Sequence, residues 1–258
     1  MERWGGYVLI RPDPQVIWRE PKRHKRWQNA DAVYTRSASG GGSWSRHKLP
    51  AFWNVSWNGL TFKVKPTGFK HTGLFPEQAA NWAALSSLRV SSVLNLFAYT
   101  GAATVVCAAA GAKVTHVDAA KGMVAWAKEN AALNGADARY IVDDCNAFVM
   151  RELRRGSRYD GILMDPPSYG RGAGGQVWKL EDDLYGFVQK AAGLLSENAR
   201  FFFISSYTTG LAPSVLRYLL EALIVPRFGG RAEAAELGLR VSATGLYLSC
   251  GAAGRWIR

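Results

Sequence analysis

The sequence predicts an α/β fold: a doubly wound, mostly parallel seven-stranded sheet whose last strand runs antiparallel, preceded by a small β-rich N-terminal appendage. Three observations predict it. Between residues 73 and 258, short apolar runs alternate with segments of helical length and pattern. The last two runs are separated only by Ala243-Thr244-Gly245, and so tight a turn joins antiparallel neighbours. Residues 1–72 lack this alternation and are basic, aromatic and rich in turns.

The elements follow in order. Residues 93–97 form an apolar strand and 102–110 a small-residue helix. Strand 114–118 precedes helix 120–133, strand 139–142 precedes helix 146–154, and strand 161–165 leads through a loop to helix 181–195. Strand 201–205 and helix 211–223 complete five strand–helix units, and strands 239–242 and 246–250 close the chain. Crossovers of that kind place parallel strands in one sheet with helices on both faces. Before residue 73, β-like pieces at 7–10, 32–34, 53–57 and 60–64 are separated by a basic stretch, 19–26, and a segment expected to be flexible, 37–45, with Gly40-Gly41-Gly42.

A chain of 258 residues suits one large domain, or a core with an appendage, and 48% hydrophobic residues exclude global disorder. The net charge of +12 is uneven: residues 1–80 carry 13 Lys and Arg against 5 Asp and Glu. That surplus, set among Trp4, Tyr7, Trp18, Trp27, Tyr34, Trp44, Trp53 and Trp57, points to a polyanionic partner such as RNA, gripped by the N-terminal region. Cys107, Cys145 and Cys250 lack C-x-x-C spacing, so neither a disulfide framework nor a metal site is expected. No apolar run approaches the ~18 residues a membrane span needs, and residues 1–6 lack a signal-peptide pattern. A cytoplasmic protein without a membrane partner is expected.

In open α/β sheets, ligands bind beyond the carboxyl ends of the strands. Those ends carry Asn95-Leu96-Phe97-Ala98-Tyr99-Thr100-Gly101, then Asp118-Ala119, then Asp143-Asp144-Cys145. Gly101 permits a close approach before the helix, whose free N–H groups face a ligand carboxylate. Asp118 can accept two ribose hydroxyls, and at Asp144 a carboxylate or a neighbouring N–H can meet an adenine edge. Each aspartate could instead be a helix N-cap, and both roles can hold at once. The loop has one glycine and no G-x-G-x-x-G, which disfavours NAD and its pyrophosphate.

These segments, with Trp126-Ala127-Lys128-Glu129-Asn130 and Asp165-Pro166-Pro167, resemble the ordered motifs of class I S-adenosylmethionine-dependent methyltransferases, which are Rossmann-like. More narrowly, they resemble the bacterial large-subunit ribosomal RNA methyltransferase group, whose members carry Asp-Pro-Pro-x-Phe/Tyr. Lys70-His71-Thr72-Gly73-Leu74-Phe75-Pro76-Glu77-Gln78 is similar to that group's pre-core segment, and the likeness spans roughly residues 60–250. The resemblance implies S-adenosylmethionine as cofactor. It also implies a pocket lined by Phe75, Gln78, Asn95, Phe97, Tyr99, Gly101, Asp118, Ala119, Asp144 and Cys145.

Asp165-Pro166-Pro167-Ser168-Tyr169 follows the fourth strand of the alternating series. Two prolines make a rigid turn with outward carbonyls, which with Asp165 form an acceptor cluster for a base amino group. Tyr169 can stack on the base. Asp165, Pro166, Pro167 and Tyr169 are therefore the candidate catalytic residues, beside the plainer reading of a strand-ending turn. In the related cytosine-C5 enzymes a cysteine follows the fifth strand; here that segment reads Ile204-Ser205-Ser206-Tyr207-Thr208-Thr209. Methylation at an already nucleophilic nitrogen is expected instead. Residues 170–179, glycine-rich with Arg171, Trp178 and Lys179, suggest a flexible lid that touches phosphate and base, beside the plainer reading of a solvated surface loop. The competing readings are a methyltransferase for a protein or small molecule and a non-catalytic cofactor-binding scaffold.

Overall fold

The computed structural model describes residues 1–19, 21–38, 41–46, 48–171 and 177–258. Glu20 of the basic stretch, Ser39 and Gly40 of the expected flexible segment, and residues 172–176 of the expected lid lie outside the described residues. The chain divides into two compact units, Met1–Pro76 and Glu77–Arg258.

In the first unit, β1 (Glu2–Trp4), β2 (Tyr7–Ile10), β3 (Ala32–Arg36) and β4 (Gly42–Arg46) form one sheet in chain order. Its β2–β3 pair is parallel and its other two pairs are antiparallel. A separate hairpin joins β5 (Trp53–Trp57) to β6 (Leu60–Val64). Its turn residues Asn58 (φ 47°) and Gly59 (φ 81°) both have positive φ, the geometry that matches strand twist in two-residue hairpins. Trp4, Val8, Leu9, Tyr34, Trp53 and Phe62 are buried, and the Trp53 indole N–H donates to the Trp4 carbonyl at 3.0 Å. The expectation of a flexible 37–45 segment is corrected for Gly42–Arg46, which is strand. Trp44 anchors it, edge-on to Tyr34 at 5.3 Å with its indole N–H donating to the Thr67 carbonyl at 3.0 Å.

The second unit begins with α1 (Ala79–Ser87). It continues through β7 (Ser92–Leu96), α2 (Ala102–Ala109), β8 (Lys113–Asp118), α3 (Lys121–Ala132), β9 (Arg139–Val142), α4 (Cys145–Arg155) and β10 (Gly161–Met164). A short hairpin, β11 (Tyr169–Arg171) and β12 (Val177–Lys179), leads to α5 (Leu180–Ala192), β13 (Phe201–Ser206), α6 (Pro213–Leu223), α7 (Val225–Phe228), β14 (Arg231–Arg240) and β15 (Tyr247–Ile257). The seven-stranded sheet has the order β14–β15–β13–β10–β7–β8–β9. The five strands from β13 to β9 are mutually parallel, and β15 runs antiparallel between β13 and β14. The expected antiparallel last strand is present.

All four residues of β10 are buried, as a central parallel strand covered on both faces must be. One face packs Leu94, Leu96, Phe202 and Ile204 against Phe148, Leu184, Phe187, Leu216 and Leu220 from α4, α5 and α6. Helices α1, α2 and α3 contribute the buried Trp82, Leu85, Val105, Val106 and Trp126 elsewhere in the unit. The closing strands are longer than residues 239–242 and 246–250. Val241 and Ser242 fall in the turn, which Val241 N–H closes onto the Leu246 carbonyl at 2.7 Å.

Candidate functional site

The carboxyl ends of β7, β8 and β9 bring the expected segments together. After β7 the backbone turns sharply, with positive φ at Phe97 (54°), Tyr99 (51°) and Gly101 (79°). Side-chained residues occupy that region only when held there. Asp118, at the end of β8, supplies one hold: its Oδ2 accepts the Tyr99 N–H and its Oδ1 the Ala120 N–H, each at 2.8 Å. The Ala98 N–H supplies another by donating to the Val117 carbonyl at 3.0 Å. Gly101 lies so near α3 that a Cβ there would stand 2.8 Å from the Ala127 Cβ. Glycine is needed at this position for both its φ and its space.

Asp144 is the N-cap of α4, its Oδ1 accepting the Ala147 N–H at 2.8 Å. Asp118 caps nothing: the residue before α3 is Ala120. Ala119 and Asp144 are exposed, while Phe97, Tyr99 and Asp118 are half-buried. Two of the expected pocket residues turn their side chains inward. Asn95 is buried and donates from Nδ2 to Thr104 Oγ1 at 2.9 Å. Thr104 in turn meets His116 Nδ1 at 2.9 Å, and burial lowers this imidazole to a pKa of about 4. Cys145 is buried too, its sulfur accepting the Phe97 N–H at 3.3 Å. Burial raises its thiol far above the ordinary range, so it is a tie between strand ends and no nucleophile. Phe75 belongs to the first unit and packs on His71 at 5.0 Å.

The Asp165–Tyr169 turn stands at the end of β10. Asp165 is half-buried, Pro166 is buried, and Pro167, Ser168 and Tyr169 are exposed, Tyr169 by 53%. Desolvation, then repulsion from the buried Glu77, raises the Asp165 carboxyl to about 7. The expected cluster of outward carbonyls needs correction. The Trp178 indole N–H takes the Pro167 carbonyl at 2.6 Å, and Leu180 N–H takes that of Ser168 at 3.0 Å. Trp178 also packs on Phe97 and Phe187, at 5.7 and 5.6 Å. It therefore braces the turn, and Tyr169 to Arg171 and Val177 to Lys179 are paired strands, not loop.

Other residues at this end of the sheet escaped the sequence reading. Tyr207 follows β13, and burial, Asp165 and Glu77 all raise its phenol. Gln78, expected as a cofactor residue, donates from Nε2 to the Tyr207 hydroxyl at 3.0 Å. Asn81 and Arg255 extend the same network. Glu77 lies in the segment before the core and Tyr207 in the segment after the fifth strand, but neither position by itself signals a site side chain.

Among the described residues, no group of three or more His, Cys, Asp or Glu is placed to hold a metal ion. Nor is any helix there long and apolar enough to cross a membrane.

A model of the S-adenosylmethionine-dependent methyltransferase family matches residues 30–198. The crystal structure of a SAM-dependent methyltransferase from Agrobacterium tumefaciens is 38% identical and superposes with a TM-score of 0.91, over 99% of this chain and 86% of that one. Ribosomal RNA large subunit methyltransferase K/L of Marinobacter nauticus is 33% identical over 162 residues, 60% of this chain. Its Shewanella frigidimarina counterpart is 35% identical over 151 residues, 56% of this chain. The chain spans about a fifth of the length of these curated relatives, 22% and 21%.

Proposed function

The chain belongs to the S-adenosylmethionine-dependent methyltransferase family, and from that premise we propose that it methylates a base of ribosomal RNA, at a nitrogen and without a cysteine nucleophile. The observation that carries this reading is the half-buried Asp165 carboxylate on a rigid turn, beside exposed Tyr169 and across the strand ends from Asp118. The donor set fits the cofactor: carboxylates at successive strand ends suit a sulfonium cation and ribose hydroxyls, and would repel a pyrophosphate. When bound, S-adenosylmethionine supplies an electrophilic methyl group. Each Asp118 oxygen holds one N–H and keeps lone-pair capacity for a ribose hydroxyl. Asp144, the N-cap of α4, or a neighbouring N–H would meet the adenine edge.

Asp165 takes the proton that the base nitrogen sheds, and a carboxyl near 7 matches that task at neutral pH. Tyr169 offers a stacking face worth ~1–3 kcal/mol. The thiols support nitrogen chemistry: Cys145 and Cys107 are buried, the latter pushed up to about 12, and Cys250 lies on β15. An RNA substrate is supported by the names of the relatives and by the exposed Lys22, Arg23 and Lys25 in the N-terminal β-rich region, residues 1–72. Residues 73–258 bind cofactor and carry the chemistry.

The test is transfer of radiolabelled methyl from S-adenosylmethionine to deproteinised ribosomal RNA, intact ribosomes and a protein extract in parallel. Label in RNA or ribosomes is expected. Label confined to protein would overturn the substrate assignment.

A further inference from the structure

Arginine donates hydrogen bonds and accepts none, and this fixes the direction of a chain of side chains that reaches the reaction turn. Arg255 on β15 donates from Nε to Asn81 Oδ1 at 2.8 Å. With its oxygen so identified, Asn81 presents Nδ2 to Gln78 Oε1 at 2.7 Å and to Ser205 Oγ at 3.3 Å. Gln78 must then offer Nε2 to the Tyr207 hydroxyl, 3.0 Å away. The phenol oxygen accepts that bond and turns its own proton to the Glu77 carboxylate. Reversing either amide would set donors face to face. Asn81, Ser205 and Glu77 are only 4%, 5% and 7% exposed, so water could not make good a mispaired group there. Glu77 and Tyr207 are the titratable groups that act on Asp165 or feel its charge.

We propose that Arg255 and Tyr207 are positioning residues: their chain keeps Glu77 a hydrogen-bonded carboxylate, leaving Asp165 as the group that takes up the proton of methyl transfer. This rests on the reading of Asp165 given above. In that step the lone pair of the acceptor nitrogen forms the N–C bond. The C–S bond breaks with its electrons left on sulfur, and the nitrogen's proton passes to Asp165.

The primary test needs no substrate. Carboxyl-13C NMR of cofactor-free protein with labelled aspartate follows the titration of Asp165, assigned by the resonance lost in Asp165→Asn. The wild-type midpoint is expected at about 7. In Tyr207→Phe, Glu77 loses its donor and competes for the proton, so the Asp165 midpoint falls toward the ordinary carboxylate range. Arg255→Met frees both amides to flip and lowers it likewise, while Arg255→Lys, which keeps a donor, restores it. With deproteinised ribosomal RNA, Tyr207→Phe lowers kcat at least tenfold while KM for RNA and affinity for S-adenosylhomocysteine stay within twofold. Tyr207→Phe deletes a single oxygen and keeps the test open should Arg255→Met misfold. A wild-type midpoint in both variants overturns the proposal. Full methylation by Asp165→Asn, with the shifts observed, would uphold the hydrogen-bond chain but overturn the role of Asp165 in transfer.

Discussion

Asp118→Ala removes a carboxylate that ties the backbone on both sides of the strand-end cleft, through the Tyr99 and Ala120 N–H groups at 2.8 Å each. Phe97 and Tyr99, at φ 54° and 51°, hold conformations that cost roughly 1–2 kcal/mol each for side-chained residues. The bond to Asp118 helps to keep Tyr99 there. Hydrogen bonds to charged groups contribute about 1.5–3 kcal/mol. Asp118 is half-buried, so the lower figure applies, and losing two such bonds amounts to about 3 kcal/mol. For a unit of this size each kcal/mol shifts the melting temperature by about 2–4 °C, which gives a fall of ~6–12 °C. Losing the ribose acceptors should weaken S-adenosylhomocysteine binding by a similar 1.5–3 kcal/mol, or about 10- to 100-fold. Scanning fluorimetry of the free protein and isothermal calorimetry with S-adenosylhomocysteine read the two effects separately. A melting temperature within about 2 °C of wild type, together with unchanged affinity, would remove Asp118 from both roles.

Gly101→Ala combines left-handed strain of ~1–2 kcal/mol with a Cβ 2.8 Å from that of Ala127. It should lower both melting temperature and S-adenosylhomocysteine affinity, and calorimetry showing neither would mean that the loop and α3 are less tightly apposed. His116 is neutral in the fold, with a pKa of about 4 against 6.5 unfolded, so below pH 6.5 the unfolded chain gains its proton first. Stability is therefore complete above pH 6.5 and declines toward pH 4 by up to ~1.4 kcal/mol per pH unit, and urea unfolding of His116→Gln should show a shallower decline. Charge reversal of Lys22, Arg23 and Lys25 should weaken RNA binding and flatten its salt dependence, by ~0.7 in log–log slope for each phosphate no longer neutralised. Arg26 is omitted because it pairs with Asp31 at 3.8 Å. Filter binding across a salt series decides, and affinity indifferent to the reversals would remove the basic stretch from the interface.

Much of the second unit was legible because hydrophobic period and strand–helix alternation are local properties of the chain. Residues 161–165 and 201–205 had to be strands of the parallel series, and Ala243-Thr244-Gly245 had to be a turn between antiparallel neighbours. Most of β14 was not legible. Arg231-Ala232-Glu233-Ala234-Ala235-Glu236 is made of good helix formers, yet it forms an edge strand whose Ala232 and Leu237 are buried. Its pairing to β15 outweighs propensity, as edge-strand context often does. In the site, the aspartates stood out because strand ends collect ligands. What stayed hidden depends on distant partners: Trp178 braces the Pro167 carbonyl, and Tyr207 meets Gln78 from 129 positions away. Asn95 and Cys145 sit at the right places in the chain, but their side chains point to Thr104 and the Phe97 N–H, a direction set by packing.

Nucleoside mass spectrometry of ribosomal RNA, after incubation with S-adenosylmethionine and either the wild-type protein or Asp165→Asn, reads the proposed chemistry at the modified base itself. With the wild-type protein, a methyl group on a base nitrogen is expected. With Asp165→Asn none is expected, although that variant should keep its affinity for S-adenosylhomocysteine within about threefold, less than the 1.4 kcal/mol of a tenfold change. A methyl group on cytosine C5 or on a ribose oxygen, or full methylation by Asp165→Asn, would contradict nitrogen methylation assisted by Asp165.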